Sequence, residues 1–417
     1  MKTIEGHNVK IFTDMIDENA IGQIKQLLSI DVFADKKIRI MPDVHAGAGC
    51  VIGFTGNLGE KVIPNIVGVD IGCGMRVLNL GNVNDIDCHG FHEYIRANVP
   101  SGKIAREEKF GFKPLVGEEM YIYRQAKELV KELYCYRELR DISRINRSIG
   151  TLGGGNHFIE LDKDDIGNVY LVIHTGSRNL GLQVANIYQE KAIKHLTDGA
   201  DDLELRIREI IEEYKAAGRR NELQDVIKKM RKEQQHTEPV LPSELCYVEG
   251  ETREHYLHDM RICQQWAVLN CKLISILLLK FFNGVGIKNE FESVHNYISD
   301  DNMIRKGAIS AEKEELCIIP LNMRDGSLIC IGKGNTDWNC SAPHGAGRIL
   351  SRSQAYEQIT MEDFESSMNG IYSESINEFT RDEAPMVYKP AEAIIDNIGE
   401  TVTIETVIRP IFNFKAM

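Results

Sequence analysis

Five short stretches of the chain combine glycine with a side chain that can bind a metal ion or act as a nucleophile. Glycine allows tight turns and lets the backbone approach a ligand closely, so such stretches are candidates for a reactive site. They are MPDVHAGAG (41–49), VGVDIGCGM (67–75), GTLGGGNHFIE (150–160), VIHTGSRNLG (172–181) and SAPHGAGR (341–348), to which SVHNY (293–297) adds one histidine.

Asp70 and Cys73 lie three residues apart in a glycine-rich turn that can point both side chains at one ion. His157, His174 and His295 follow apolar or glycine-rich segments, so we expect them near strand ends, where they converge on a cleft. A carboxylate, a thiolate and imidazoles suit Mn, Zn, Co or Fe better than Mg or Ca. Taken singly, a histidine at a strand end is more often structural than a ligand, and a free cysteine often behaves as a small buried hydrophobe. Together the five predict a transition-metal site.

His344 is followed by a loop whose backbone N–H groups can hold phosphate oxygens: Gly345, Ala346 and Gly347, with Arg348 next to them. A histidine against bound phosphate can act as a general acid, as a metal ligand or as a nucleophile that forms a phosphoramidate. A histidine in an ordinary loop ahead of a helix is the alternative. Composition alone does not choose among these roles.

Cations in glycine turns offer a second kind of phosphate contact. Arg178 follows Ser177 in HTGSRNLG, and Arg305 precedes Lys306 in IRKGAIS. The planar arginine fork matches phosphate oxygens. An exposed turn with a surface cation explains the same residues equally well.

From about residue 38 to the C-terminus these motifs follow the order found in the RtcB family of RNA-splicing ligases, which the chain resembles. The most specific are VDIGCGM, GGNHFIE and HGAGR, and the remaining matches are MPDVHAGAG, HTGSRNLG, HNY, RKGAISA and PMVYK (385–389). Two departures from the family pattern are PLNMRDG (320–326), where many members have a PGSMG-like turn, and Ala48, where a lysine is common.

The resemblance implies a GTP- and Mn²⁺-dependent ligase that joins RNA ending in a 2′,3′-cyclic phosphate or 3′-phosphate to RNA with a 5′-hydroxyl. By position, the family's ligands for two manganese ions match Asp70, Cys73, His157, His174 and His295, with Cys73 between both ions. His344 matches the histidine that carries GMP. The implied partners are RNA and GTP, and an archease-like activator is compatible with the resemblance without being required by it.

The resemblance also implies guanine-nucleotide contacts and a path for the RNA ends. A carboxylate at Glu160 can accept from guanine N1–H and N2–H₂, and Lys415 near the chain end can reach O6. The path of the RNA ends would be lined by Arg178, Arg305 and Lys306. The implied nucleotide contacts are Asn156, His157, Glu160, His295, Asn296, Pro320, Leu321, Asn322, Met323, Ser327, His344, Gly345, Ala346, Gly347, Tyr388 and Lys415.

Two other functions fit parts of the same pattern. A binuclear phosphodiesterase that hydrolyses RNA ends would keep the metal site but would need neither Glu160 nor Lys415. An RNA-binding relative without activity would need none of the reactive residues, yet all of them are present. Neither the motifs nor the composition identify the RNA substrate or the oligomeric state.

The helices and strands predicted around these residues indicate an α+β fold. The apolar runs beside the glycine clusters are typical of strands that end in tight turns. We expect a single large domain over residues 1–417, with strands ending in glycine-rich loops around a central metal cleft. The longest helices are predicted at Glu118–Arg140 and Leu203–Glu233, and a helical-hairpin insertion at 198–236, broken near Gly218. The many charges of that hairpin fit a solvated face or a contact with nucleic-acid phosphate.

Composition bounds the class of protein. The 417 residues are 43% hydrophobic and 27% charged, as in ordinary globular proteins, and the net charge of −13 provides no global attraction for nucleic acid. The ten cysteines form no CxxC pair, which is typical of reduced thiols. The longest apolar stretch, Leu273 to Phe282, is about half of the ~20 residues that a spanning helix needs. We therefore expect a cytoplasmic protein without a membrane span.

Overall fold

The computed structural model describes residues 2–107, 110–197, 200–216, 219, 222–234 and 239–415. Its α-helices are α1 (Glu18–Leu28), α2 (Cys88–Asn98), α3 (Glu118–Lys131), α4 (Ile142–Arg147), α5 (Arg178–His195), α6 (Ala200–Ala216), α7 (Leu223–Gln234), α8 (Gly250–Leu279), α9 (Arg352–Gln358), α10 (Met361–Ser367) and α11 (Ala391–Ile398). Its strands are β1 (Lys2–Thr3), β2 (Val9–Ile11), β3 (Ile38–His45), β4 (Ile52–Asn57), β5 (Gly74–Asn82), β6 (Phe158–Lys163), β7 (Asn168–Thr175), β8 (Asn289–Val294), β9 (Asn296–Ile298), β10 (Met303–Lys306), β11 (Ala308–Ser310), β12 (Leu316–Asn322), β13 (Gly326–Gly332), β14 (Ser341–Pro343) and β15 (Val402–Lys415).

A seven-stranded sheet in the order β12-β13-β15-β6-β7-β5-β8 forms the centre of the fold. Its two edge strands meet, because the Ile318 N–H of β12 donates to Ser293 Oγ of β8 at 3.1 Å. The sheet is therefore nearly closed. The predicted α+β fold is confirmed.

Side chains of this sheet alternate between two apolar clusters, as the two-residue period of a strand requires. In β7, Leu171 and Ile173 pack towards α2 and α8, whereas Tyr170 and Val172 pack on the inner face of the sheet. His174 continues the inner series at the end of the strand. The alternation thus directs this histidine to the inner face.

A six-stranded sheet in the order β1-β2-β3-β4-β10-β9 lies beside the first, and β11 pairs with β14. Ile38, Ile40 and Phe54 of β3 and β4 are fully buried in its core. β3 ends in the MPDVH motif, and the chain leaves β14 directly into His344. The MPDVH motif and His344 therefore lie in one region of the fold.

The longest helix of the described residues is α8, so the prediction of the longest helices was wrong. By length and composition alone the segment Gly250–Phe282 could cross a membrane, but 61% of its most apolar window is buried inside the protein. The predicted helix at Glu118–Arg140 ends at Lys131. Its extension is prevented because the Asp259 carboxylate of α8 accepts from the Tyr134 and Cys135 N–H groups, at 2.9 and 3.0 Å.

α6 and α7 pack against each other in the region of the predicted hairpin. The expected break at Gly218 and both ends of the 198–236 range lie outside the described residues. That this segment is an insertion stays a prediction.

Candidate active site

The structure brings together the five side chains that were predicted to bind metal. Cys73 Sγ lies 3.4 Å from His157 Nε2 and 3.3 Å from His174 Nε2, and Asp70 Oδ2 lies 3.0 Å from His157 Nε2. Two groups of ligand atoms, each within 4.8 Å of one another, share Cys73: one adds His174 and His295, the other Asp70 and His157. Cys73 therefore lies where a thiolate could bridge two ions.

Close backbone packing holds the Asp70–Cys73 turn in place. The Cys73 N–H donates to Asp70 O at 3.1 Å. Gly72 has φ +71°, and a Cβ there would lie 2.8 Å from the Cα of Gln264 in α8. A larger residue at position 72 would push the turn away from α8, so glycine is required here.

Backbone carbonyls orient two of the histidines. His157 Nδ1 lies 2.9 Å from Leu152 O, and His174 Nδ1 lies 3.2 Å from Asn156 O. A carbonyl oxygen only accepts, so Nδ1 carries the proton in both rings and the Nε2 lone pair faces Cys73.

One residue of α8 holds the loops that carry these histidines. Asn270 Oδ1 accepts from the N–H groups of Gly150 and Thr151, at 2.7 and 3.2 Å. Its Nδ2 donates to Gly176 O at 3.2 Å. A single buried amide thus ties the GTLGGGN and HTGSRN stretches to α8.

The electrostatics of the cluster suit a cation. Burial, and then charge repulsion from the other histidines, lowers the pKa of His174 and of His295 well below the usual value, so both are neutral and able to ligate. Burial, and then the charge of Asp70, raises the pKa of the Cys73 thiol. Asp70 Oδ1 is buried without a hydrogen-bond partner. Buried lone pairs without a donor are costly, and a divalent transition-metal ion would satisfy them.

His344 lies beside this cluster and is held by a carboxylate. Its Nδ1 lies 2.6 Å from Oδ2 of Asp43 in β3, and its backbone N–H donates to the same oxygen at 3.0 Å. Its ring centroid is 4.9 Å from that of His295. Because the completely buried Asp43 accepts from the Nδ1–H group of His344, the Nε2 lone pair of that ring is left free.

A cavity of about 310 Å³ connects His344 with the cluster. Five predicted residues do not line it, and of these Ser327 is buried with an unpartnered hydroxyl; the five are His157, Arg178, Arg305, Lys306 and Ser327. The predicted residues that do line it are Asp70, Cys73, Asn156, Glu160, His174, His295, Asn296, Pro320, Leu321, Asn322, Met323, His344, Gly345, Ala346, Gly347, Tyr388 and Lys415.

Glu160 and Glu383 line the cavity, and the pKa values of their carboxyl groups are shifted in opposite directions. Burial raises the pKa of Glu160 to about 7, although Asn413 Nδ2 donates to its Oε1 at 2.5 Å. Burial alone would raise the pKa of Glu383, but Lys415, the Tyr388 hydroxyl and Arg348 together lower it to about 2. The Lys415 ammonium lies 2.8 Å from Glu383 Oε2, and the Tyr388 hydroxyl donates to the same oxygen at 2.6 Å. Glu160 therefore keeps acceptor capacity for a ligand.

The predicted phosphate-binding cations lie in different surroundings. Arg178 donates to Thr151 Oγ1 at 3.3 Å and to Gly102 O at 3.2 Å, and its positive charge acts on the Asp70 carboxylate. A Cβ at Gly153 would lie 1.9 Å from the guanidinium, so that glycine makes room for Arg178.

The structure does not bring Arg305 and Lys306 to the cavity. Arg305 is buried and donates to Ser341 Oγ at 2.9 Å, and Lys306 is buried and donates to Asn65 O at 2.9 Å. Their donors are used inside the protein. A contact with RNA ends stays a prediction for both.

Sequence reasoning missed several side chains of the cavity. Asp43 lies in a motif that was recognised, but only the fold shows that it meets a histidine 301 residues away. Glu383 lies in a stretch without any glycine signal, and no pattern indicated it. His45, Arg348 and Arg352 also line the cavity.

The chain is similar in sequence to proteins of one described family. The family model described as "tRNA-splicing ligase RtcB" matches residues 23–416. The chain is 27% identical over 440 residues to the RNA-splicing ligase RtcB of Escherichia coli K12, covering 99% of this chain and 98% of the relative. It is 27% identical over 437 residues to the tRNA-splicing ligase RtcB of Aeropyrum pernix, covering 85% and 82%, and 24% identical over 455 residues to that of Pyrobaculum aerophilum, covering 89% and 85%.

Proposed function

The chain belongs to the RtcB family of tRNA-splicing ligases, and from this premise we propose that it is a GTP-dependent RNA ligase that works through a histidine–GMP intermediate. It joins RNA ending in a 2′,3′-cyclic phosphate or 3′-phosphate to RNA with a 5′-hydroxyl, in splicing or repair. The observation that carries the proposal is the free Nε2 of His344. Asp43 holds that ring between a metal-type cluster and a cavity with unused acceptor groups.

The five clustered residues fit two Mn²⁺ ions. Asp70 and His157 would hold one ion, His174 and His295 the other, and the Cys73 thiolate would lie between them. Imidazole, thiolate and carboxylate are ligands that a borderline transition metal accepts together. When bound, the ions offset negative charge on phosphate oxygens and polarise the phosphorus that is attacked.

His344 begins the reaction as the nucleophile. Its Nε2 attacks the α-phosphorus of GTP, an N–P bond forms, the P–O bond to pyrophosphate breaks, and Asp43 stabilises the cationic imidazole through Nδ1–H. Where the RNA ends in a 2′,3′-cyclic phosphate, water first breaks the P–O2′ bond, O2′ takes a proton and a 3′-phosphate results. An oxygen of this 3′-phosphate then attacks the phosphorus of the histidine–GMP adduct, and the N–P bond breaks. The 5′-hydroxyl of the second RNA attacks the activated 3′-phosphate, and GMP leaves.

The opposite end of the cavity supplies base recognition. Guanine presents N1–H and N2–H₂ donors, and the Glu160 carboxylate can accept from both. Lys415, held by Glu383, can donate to O6. Adenine has no donor at N1, so this pair of residues favours GTP over ATP.

The RNA ends approach next to Arg178, whose positive charge acts on the Asp70 carboxylate. An archease-like activator and a cytoplasmic location complete the proposal. The location is supported by the ten cysteines, all of which are unpaired thiols.

The test is covalent labelling. Incubation with α-³²P-GTP and Mn²⁺ should label the parent protein, and the label should be lost in acid and kept in alkali, as expected of a phosphoramidate. His344→Ala should abolish the label yet still bind manganese, because all five ligands remain. His195→Ala is the matched control, since His195 is half exposed and faces Glu249 on the surface.

Two outcomes would contradict the proposal. A label that persists in His344→Ala would place the nucleophile elsewhere. If the parent protein hydrolysed RNA ends but did not become labelled by GTP, the result would favour the binuclear phosphodiesterase.

A further inference from the structure

A second cluster of metal-binding side chains lies outside the cavity, between α2 and the segment 372–375. His89 and His92 are one helical turn apart and face the same carboxylate. His89 Nδ1 lies 3.0 Å from Glu374 Oε1, and His92 Nε2 lies 3.3 Å from Glu374 Oε2. The ligand atoms of His92, Glu93 and Glu374 all lie within 4.8 Å of one another.

We propose that His89, His92, Glu93 and Glu374 form a zinc site separate from the ligase centre. Two imidazole nitrogens and two carboxylate oxygens are a donor set that tetrahedral Zn²⁺ accepts. The charge of the two carboxylates also matches that of a divalent ion.

Some side chains of this cluster are already held in place, and others are free to adjust to an ion. His92 is anchored, with only 6% of its side chain exposed, whereas 71% of His89 is exposed and can adjust to an entering ion. The Tyr372 hydroxyl donates to Glu374 Oε1 at 2.5 Å and holds that carboxylate towards α2. Burial lowers the pKa of His92, so its ring is neutral and able to ligate.

One cation competes with the proposed ion. Arg96 Nη1 lies 3.3 Å from Glu93 Oε1, and the positive charge of Arg96 also acts on His92. Zinc binding must release Glu93 from this arginine. Because 61% of the Arg96 side chain is exposed, the arginine can move into solvent without disturbing the core.

The site would brace the strand that carries Lys415. The Tyr372 N–H donates to Ile411 O at 3.1 Å, and the Asn413 N–H donates to Tyr372 O at 2.9 Å. The Lys415 N–H donates to Ser375 Oγ at 2.9 Å. An ion that ties Glu374 to α2 therefore restrains the end of β15 from behind the cavity.

Zinc titration of the manganese-saturated full-length protein tests the proposal. We expect one zinc ion per chain beyond those in the cleft, and anomalous diffraction at the zinc edge should locate it at Glu374. Glu374→Gln and Glu93→Gln should each weaken this binding more than 10-fold, and Arg96→Gln should strengthen it. Glu128→Gln, in an exposed pair with Lys131, is the control and should leave zinc binding unchanged.

Hydrogen exchange gives a second measurement that does not depend on ligation. Zinc should slow exchange of the Tyr372, Asn413 and Lys415 amides in the parent protein but not in Glu374→Gln. The proposal is overturned if zinc is found only in the cleft, or if Glu374→Gln binds it as tightly as the parent. Both glutamates are at least partly exposed, so these variants should fold.

Discussion

At the scale of single residues, each reactive nitrogen is directed by one hydrogen-bond partner on the far side of its ring. Carbonyl oxygens accept from the Nδ1–H groups of His157 and His174, and a carboxylate accepts from that of His344. In all three rings the Nε2 lone pair points inwards. With Nδ1–H held in this way, Nε2 of each ring is available to bind a metal ion or to attack phosphorus.

Glu160 should make GTP binding depend on pH. Its pKa is raised to about 7 mainly by burial, so the carboxyl is neutral below that pH and ionised above it. Only the ionised form offers guanine a full set of acceptors. GTP affinity should therefore increase as pH rises from 6 to 8, by at most about 10-fold per unit, and then level off. Calorimetry with a GTP analogue that cannot transfer GMP measures this profile.

Glu160, and not its buried neighbour Asp162, is the carboxyl group expected to titrate between pH 6 and 8. Asp162, two residues further along β6, is buried without hydrogen-bond partners, and burial raises its pKa well above the usual range, so it stays neutral. Glu160→Gln should bind GTP more weakly and should show no pH dependence between 6 and 8. A pH profile that is unchanged in this variant would exclude Glu160 as the guanine acceptor.

The candidate site was predictable from sequence where the signal is local. The Asp70–Cys73 turn and the three histidines each stand next to glycine or at the end of an apolar run, and the structure places all five together. Asp43 was not predictable, because its partner is 301 residues away and the pairing of β11 with β14 had to be known first.

At the scale of elements, strand register decides which side chains reach the cavity. Glu160 of β6 stands opposite Asn413 of β15, and Phe158 stands opposite Lys415 and His174. All of these residues lie on the inner face. A slip of one residue would move them to the outer face and replace them with Ile159 and its apolar neighbours.

The HGAG loop (344–347) requires glycine at position 347 because the loop packs closely against Asp43. Gly347 has φ +74°, and a Cβ there would lie 2.0 Å from Asp43 O. Gly347→Ala should lower the free energy of unfolding by about 1–3 kcal/mol and slow GMP labelling more than 10-fold, because the loop must move away from Asp43. Chemical denaturation and labelling kinetics measure the two effects.

Gly399→Ala is the control for this substitution, since a Cβ there would meet no atom within 4 Å and its φ is ordinary. It should be close to neutral in both measurements. If Gly347→Ala were labelled at the parent rate, contact between the loop and β3 would not position His344.

The boundaries of helices and strands could be predicted from the sequence only where local preferences and tertiary contacts agree. Strands beside glycine turns were predictable because alternation and turns are local signals. The end of α3 was not, since Asp259 captures the amides that would have continued the helix. α8 was not recognised because it is buried on more than one side and lacks a single apolar stripe.

At the scale of the whole molecule, the cluster joins parts of the chain that are far apart in sequence. Its ligands come from the turn before β5, the start of β6, the end of β7 and the link between β8 and β9. The unfolded chain cannot hold these ligands together. An ion held at this site would therefore bind the native state and stabilise the global fold.

Manganese should accordingly raise the melting temperature of the parent protein. An ion present at 100 times its Kd adds about 2.7 kcal/mol to the free energy of unfolding at each site it fills. EDTA should reverse the shift. Cys73→Ala should lose most of it, because both groups of ligand atoms include Cys73. His344→Ala should keep the whole shift, since that residue is assigned to GMP transfer and not to the metal. Scanning calorimetry with and without Mn²⁺ measures all three proteins, and an equal shift in Cys73→Ala would show that manganese binds elsewhere.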